Sequence, residues 1–122
     1  MTTERIAKRL VELCNSGRPE AAVDELYAAD IVSIEAQGTD EVPARVQGLD
    51  AIAQKSAWWF ANHEVHAMTA QGPFIGNAED QFAVKFDIDL TPKGGQRTSM
   101  TEVAIYTVRG DRISQEQFLY AV

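Results

Sequence analysis

In the stretch Phe82, Val84, Phe86, Ile88 and Leu90 the apolar side chains fall on every second position, with Ala83, Lys85, Asp87 and Asp89 between them. That alternation predicts a strand with one face buried and the other in water. Pro92, Gly94 and Gly95 interrupt it with turn residues, and Arg97 to Val108 resumes the pattern, rich in β-branched and aromatic side chains. Arg109-Gly110-Asp111-Arg112 predicts a tight reversal, after which Ile113 to Tyr120 returns as a further strand. Gln81 to Tyr120 therefore reads as consecutive strands of one curved antiparallel sheet.

Upstream the period changes to that of helices. Thr2 or Thr3 can cap a helix carrying Ile6, Leu10, Leu13 and Cys14 on one face and ending at Asn15-Ser16-Gly17. Pro19 suits the first turn of a second, short helix with the stripe Ala22, Val23, Leu26 and Tyr27. Ile31 to Ala36 reads as a small strand, Val32 and Ile34 on one face and Ser33 and Glu35 on the other, followed by a rim loop from Gln37 to Val46. Gly48-Leu49-Asp50 leads into a third helix on which Ile52, Ser56, Trp59, Phe60 and His63 share a face and Lys55, Trp58 and Asn62 lie on the flank. The adjacent Trp58 and Trp59 cannot point the same way, so one enters the core while the other borders a cavity or an interface. His63 to Ala70 alternates loosely, and Gly72-Pro73 is expected to break it before Phe74. The order predicts an α+β fold, three N-terminal helices packed in a strongly curved antiparallel sheet whose open end is a pocket.

Composition narrows the function. The chain has 122 residues, read as a single domain over 1–122, and its 11 Lys and Arg against 18 Asp and Glu give a net charge of −7. No basic cluster interrupts that balance, so a nucleic-acid partner lacks its electrostatic footprint. The single Cys14 cannot form a disulfide framework or a Cys-rich metal site and fits a core position. The apolar runs are short and the opening Met-Thr-Thr-Glu-Arg begins no signal peptide, which predicts a cytoplasmic protein without a membrane partner.

Several segments carry a resemblance. Val11-Glu12-Leu13 through Gly17, Ala21 through Asp30, Val46-Gln47-Gly48-Leu49-Asp50-Ala51-Ile52 and Tyr106 through Ile113, in this order and spacing, resemble the nuclear transport factor 2-like (cystatin-like) superfamily, in its SnoaL-like and ketosteroid isomerase-like branch. The resemblance implies a cone-shaped SnoaL-like domain. It does not imply one function, since this fold hosts isomerases, dehydratases, cyclases, hydrolases and binding proteins. Carried over from the isomerases, the proton-moving carboxylate falls on Glu35. The tyrosine donor of their first helix aligns with Leu10, which cannot donate. Their second donor, a neutral carboxylic acid, falls at Val103 or next to Glu102.

The residues themselves leave two placements open for Glu102. Between Met100 and Ala104, on a face with Tyr106 and Val108, it would be a desolvated acid with a raised pKa; if Val103 and Ile105 face the helices instead, it lies outside. Glu35 is a pocket base or a rim residue, and Lys55 and Trp58 border the pocket or are a solvated lysine and a packing tryptophan. His63 and His66 have a spacing that a metal can use, but without HExxH or an acidic ligand set no metal site is expected. Asp87, Asp89 and Arg97 evoke the water-activating set of the superfamily's epoxide hydrolases, yet the alternation sends both aspartates outward. Gly94-Gly95 is a hairpin turn, not a phosphate loop.

Two function classes follow. One is an isomerase- or cyclase-like enzyme, without cofactor, moving a proton on a small apolar molecule, with Glu35 or Glu102 as base and Tyr27, Trp58, Trp59, Phe86, Tyr106 and Phe118 shaping the cavity. The other is a non-catalytic ligand-binding or dimerisation module that uses the same aromatic residues. In either case the β-branched row Thr101, Val103, Ile105 and Thr107 predicts a homodimer.

Overall fold

The computed structural model describes residues 2–77 and 79–122. Helix α1 runs over Thr3–Asn15, α2 over Pro19–Leu26 and α3 over Leu49–Asn62; the strands are β1 Tyr27–Ile34, β2 Arg45–Gln47, β3 His63–Phe74, β4 Gln81–Pro92, β5 Thr98–Arg109 and β6 Arg112–Leu119. The strands form one six-stranded sheet in the order β2-β1-β6-β5-β4-β3. β3 to β6 is an antiparallel meander, and β1 joins β6 in parallel. The predicted α+β architecture is present.

Thr2 caps α1, its hydroxyl accepting from Arg5 N at 3.2 Å. The stripe Ile6, Leu10, Leu13 and Cys14 is buried against the sheet, where it meets Val84, Ala104 and Ile113 in one core. Burying a side chain of the size of Leu10 contributes about 1.5–3 kcal/mol. At its end α1 is pinned to β3 by the Asn15 amide, which donates to Ala70 O at 2.9 Å and accepts from Ala70 N at 2.8 Å.

The structure differs from the sequence reading at three places and decides a fourth that the sequence left open, the inward face of β1. Tyr27 is not the end of the α2 stripe but the first residue of β1, which therefore starts well before Ile31. The polar face of β1 is the inward one: Ser33 is fully buried while Val32 and Ile34 are only half-buried. Within the expected rim loop, Arg45–Gln47 pairs with β1 as an edge strand. Gly72-Pro73 does not end β3, because a register shift between Gln71 and Phe74 absorbs it as a bulge. Gly72 has φ of +130°, and a Cβ there would stand 3.2 Å from both Ala83 O and the Phe74 ring, so glycine is required.

Candidate functional site

Between the helices and the concave face of the sheet lies a cavity of about 800 Å³. Its walls are mostly apolar, from Leu10 of α1, Ile52 and Trp59 of α3, and Phe86 and Ile88 of β4. Strand alternation selects who faces in. On β5, Glu102, Ala104 and Tyr106 share the inward face, and Val103 and Ile105 point away from it. Glu102 pairs across the ladder with the buried Phe86, so its carboxyl stands among aromatic walls.

Glu35, Glu102, Tyr27, Trp59, Phe86, Tyr106 and Phe118 all line this cavity. Trp58 does not. One residue along a helix turns the side chain about 100°, and Trp58 instead meets His63 edge to face, ring centroids 6.0 Å apart. Lys55, on the flank of the predicted helix face, borders the cavity with only 14% of its side chain exposed. His66 reaches the cavity wall and hydrogen-bonds Thr91 Oγ1 at 2.8 Å. Among the described residues no three His, Cys, Asp or Glu side chains gather as a metal site. Asp89 is held on the outer face by Arg97 at 3.0 and 2.7 Å.

A residue absent from the sequence reading organises the polar end of the cavity. Glu116 of β6 is 5% exposed; the Tyr27 hydroxyl donates to its Oε1 and the Ser33 hydroxyl to its Oε2 at 2.7 Å. Lys55 Nζ in turn donates to Ser33 Oγ at 2.6 Å and lies 3.3 Å from Glu35 Oε2. The latter contact is an ion pair without hydrogen-bond alignment, so Glu35 Oε2 has no hydrogen-bond partner among the described residues. Phe118 closes the other side of the ammonium, 4.8 Å from Nζ to the ring centroid.

Burial sets the electrostatics here. It raises Glu116 above the usual carboxylate range, against the opposing pull of Lys55 and of the two hydroxyl donors. It likewise lifts Glu102 to about 7; the charge of Glu35 adds to the rise, Lys55 opposes it, and Glu116 adds a smaller push. No described group donates a hydrogen bond to Glu102. Near neutral pH its carboxyl is thus divided between acid and carboxylate, the state in which a side chain both takes and returns a proton efficiently. Cys14, at the cavity wall, is driven up to about 11 by burial and by the Glu116 charge, and stays a thiol.

The signal for Glu116 was masked by a bulge. The register of β5 and β6 shifts between Thr107 and Val108, which resets the inward phase of β6 from Ile113 to Glu116 and Phe118. Strict alternation from Ile113 would send Gln115 inward instead.

Known proteins place this geometry in a family. A family profile for the SnoaL-like domain matches residues 1–120. A candidate SnoaL-like polyketide cyclase from Mesorhizobium loti, whose description also carries the label carbohydrate phosphatase, is 42% identical, with a TM-score of 0.90 over 98% of this chain and 100% of its own. A candidate polyketide cyclase from Pseudomonas putida is 14% identical with a TM-score of 0.73, over 100% of this chain and 93% of its own. A ketosteroid isomerase-like fold from Catenulispora acidiphila, in complex with trimethylamine, is 22% identical with a TM-score of 0.73, over 100% of this chain and 88% of its own. The last two share the fold. Curated proteins yield no match.

Proposed function

This chain belongs to the SnoaL-like domain family, and we propose that it is an enzyme moving a proton at carbon on a small, largely apolar molecule, with Glu102 as the acid–base group. The observation that carries the reading is the setting of Glu102: a carboxyl at the wall of an apolar cavity, with no hydrogen-bond donor among the described residues and a charge state balanced near pH 7. Glu35, committed to the Lys55 ion pair, supplies charge that keeps Glu102 basic. Trp59, Phe86, Tyr106 and Phe118 provide the apolar surface that holds the substrate.

The Mesorhizobium loti relative is described as a candidate polyketide cyclase. Ring closure of the aldol type begins with removal of a proton next to a carbonyl, and isomerisation of an enone begins the same way. One base in one cavity serves both, and the chemistry proposed is that shared first step. It needs no cofactor. Pairing of two copies through the outer face of β5 and β6 completes the proposal.

The test is hydrogen–deuterium exchange at the α-carbon of small cyclic ketones such as 2-tetralone, followed by NMR in D₂O. Wild type should accelerate exchange saturably at neutral pH, and Glu102→Gln should lose about 10²–10⁴ of that rate. Equal rates for the two proteins would remove Glu102 as the base. Saturable ketone binding without exchange by wild type would leave a binding module.

A further inference from the structure

When a proton leaves a carbon next to a carbonyl, charge develops on the carbonyl oxygen, and in a cavity with mostly apolar walls it must be met by one of the few polar groups present. We propose that Lys55 holds the substrate's carbonyl oxygen and the charge formed on it, positioned by Glu116 through Ser33, which makes the substrate class an enolisable carbonyl compound with its oxygen at this end of the cavity. This rests on the reading of Glu102 as base.

Lys55 is the only lysine or arginine among the described residues of the cavity wall. Its ammonium has N–H groups to spare: one goes to Ser33 Oγ at 2.6 Å, and the Glu35 contact at 3.3 Å is not aligned as a hydrogen bond. Ser33 has one hydroxyl proton, and Glu116 Oε2 takes it at 2.7 Å. The Ser33 oxygen must therefore act as an acceptor toward Lys55. Glu116 is itself fixed from its other oxygen by Tyr27, and Phe118 flanks the ammonium at 4.8 Å. A chain of buried contacts thus aims a flexible lysine at one point. Lys55 and Glu102 both line this one cavity, so base and charge-holder border a common space.

The step balances within those residues. The Glu102 carboxylate takes a proton from the carbon next to the carbonyl, the C–H electron pair becomes the C=C bond, and the C=O π pair moves onto oxygen. Lys55 donates a hydrogen bond to that enolate oxygen without giving up its proton. Return of the proton from Glu102 to the same or another carbon completes the turnover. A purely structural Lys55 would hold Glu35 in place and do nothing to a bound oxygen.

Substituted nitrophenols separate the two, since the ring fills an apolar cavity, the phenolate mimics the enolate, and absorbance reports its ionisation. Phenol bound to wild type should ionise about one pH unit below free phenol, about a tenfold gain in the ionised fraction. Lys55→Met should abolish the shift while still binding neutral phenol, Lys55→Arg should keep part of it, and Ser33→Ala should reduce it without changing neutral-phenol affinity. If Lys55→Met does not fold, the Arg and Ala variants, checked by near-UV circular dichroism, carry the comparison. An undiminished shift in Lys55→Met or in Ser33→Ala, or phenol that binds wild type only as the neutral form or not at all at millimolar concentration, would overturn the proposal. The assay is independent of turnover: Glu102→Gln removes a like charge from the cavity and should keep or enlarge the phenol shift, so failure of the base assignment and failure of the Lys55 assignment are distinguishable.

Discussion

Tyr27, the first residue of β1, donates its hydroxyl proton to Glu116 of β6, 89 positions further along the chain. The parallel pairing of β1 with β6 brings them together, with Ser33 beside Glu116 in the register. Both groups are buried, and each satisfies a polar atom that water cannot reach.

Tyr27→Phe should therefore cost about 1–3 kcal/mol, the penalty of leaving a buried acceptor of Glu116 unpaired. Chemical denaturation at pH 7 measures it. A loss below about 0.5 kcal/mol, the ordinary scatter of surface changes, would mean that this bond adds nothing to stability.

Leu10 bears on a second outcome. It lines the cavity and, by the resemblance, stands where the isomerases carry a tyrosine donor, so a Δ5-3-ketosteroid should be turned over poorly or not at all. Losing one oxyanion donor costs about 10²–10³ in rate. Ultraviolet detection of the conjugated product at a rate matching a true isomerase would show that the first helix is misaligned.

The raised pKa of Glu102 makes stability depend on pH in a definite direction. Below the ordinary value of 4.5 the group is protonated in both the folded and the unfolded chain, and burial imposes no charge penalty. Between 4.5 and about 7 the folded chain holds a proton that the unfolded chain has lost, so stability falls as pH rises; above about 7 the full penalty is present. Glu102→Gln should accordingly raise the melting temperature at pH 8 relative to wild type and leave it nearly unchanged at pH 4. Equal effects at both pH values would contradict the burial of the charge.

The outer face of β5 carries half-buried Val103 and Ile105, and Val103 pairs across the ladder with the exposed Leu119 of β6. An apolar row of this kind is suited to a second copy. Analytical ultracentrifugation should find a dimer at tens of micromolar, and Ile105→Lys should shift it to monomer. A monomeric wild type would remove the assembly.

Much of this fold was legible because its periods are long and clean. Phe82 to Leu90 alternates with only the small Ala83 off the pattern, and Ile6, Leu10, Leu13 and Cys14 keep the helical spacing, so local pattern and tertiary burial agree. The polar end of the cavity was harder to see. Ser33 and Glu35 share a face of the small strand that the sequence leaves open between cavity and rim, because a polar residue facing inward is recognisable only when its partners are known. Those partners, Glu116 and Lys55, lie far away in sequence, and a bulge shifts the phase of β6 so that Glu116 turns inward where alternation sends Gln115. Trp58 and Trp59 were separable as a pair but not individually, since one step along α3 decides which ring meets the cavity. Glu102 was visible through its neighbours on β5, and its setting on the inward face goes with the β4–β5 register, which places it opposite the buried Phe86.

The titration of the Glu102 side-chain carboxyl, followed by ¹³C NMR and assigned with Glu102→Gln, tests the acid–base reading most directly. The account predicts a midpoint at about 7, with the resonance moving when a phenol or ketone enters the cavity. A midpoint in the ordinary glutamate range, near about 4.3, with no response to ligand, would contradict it.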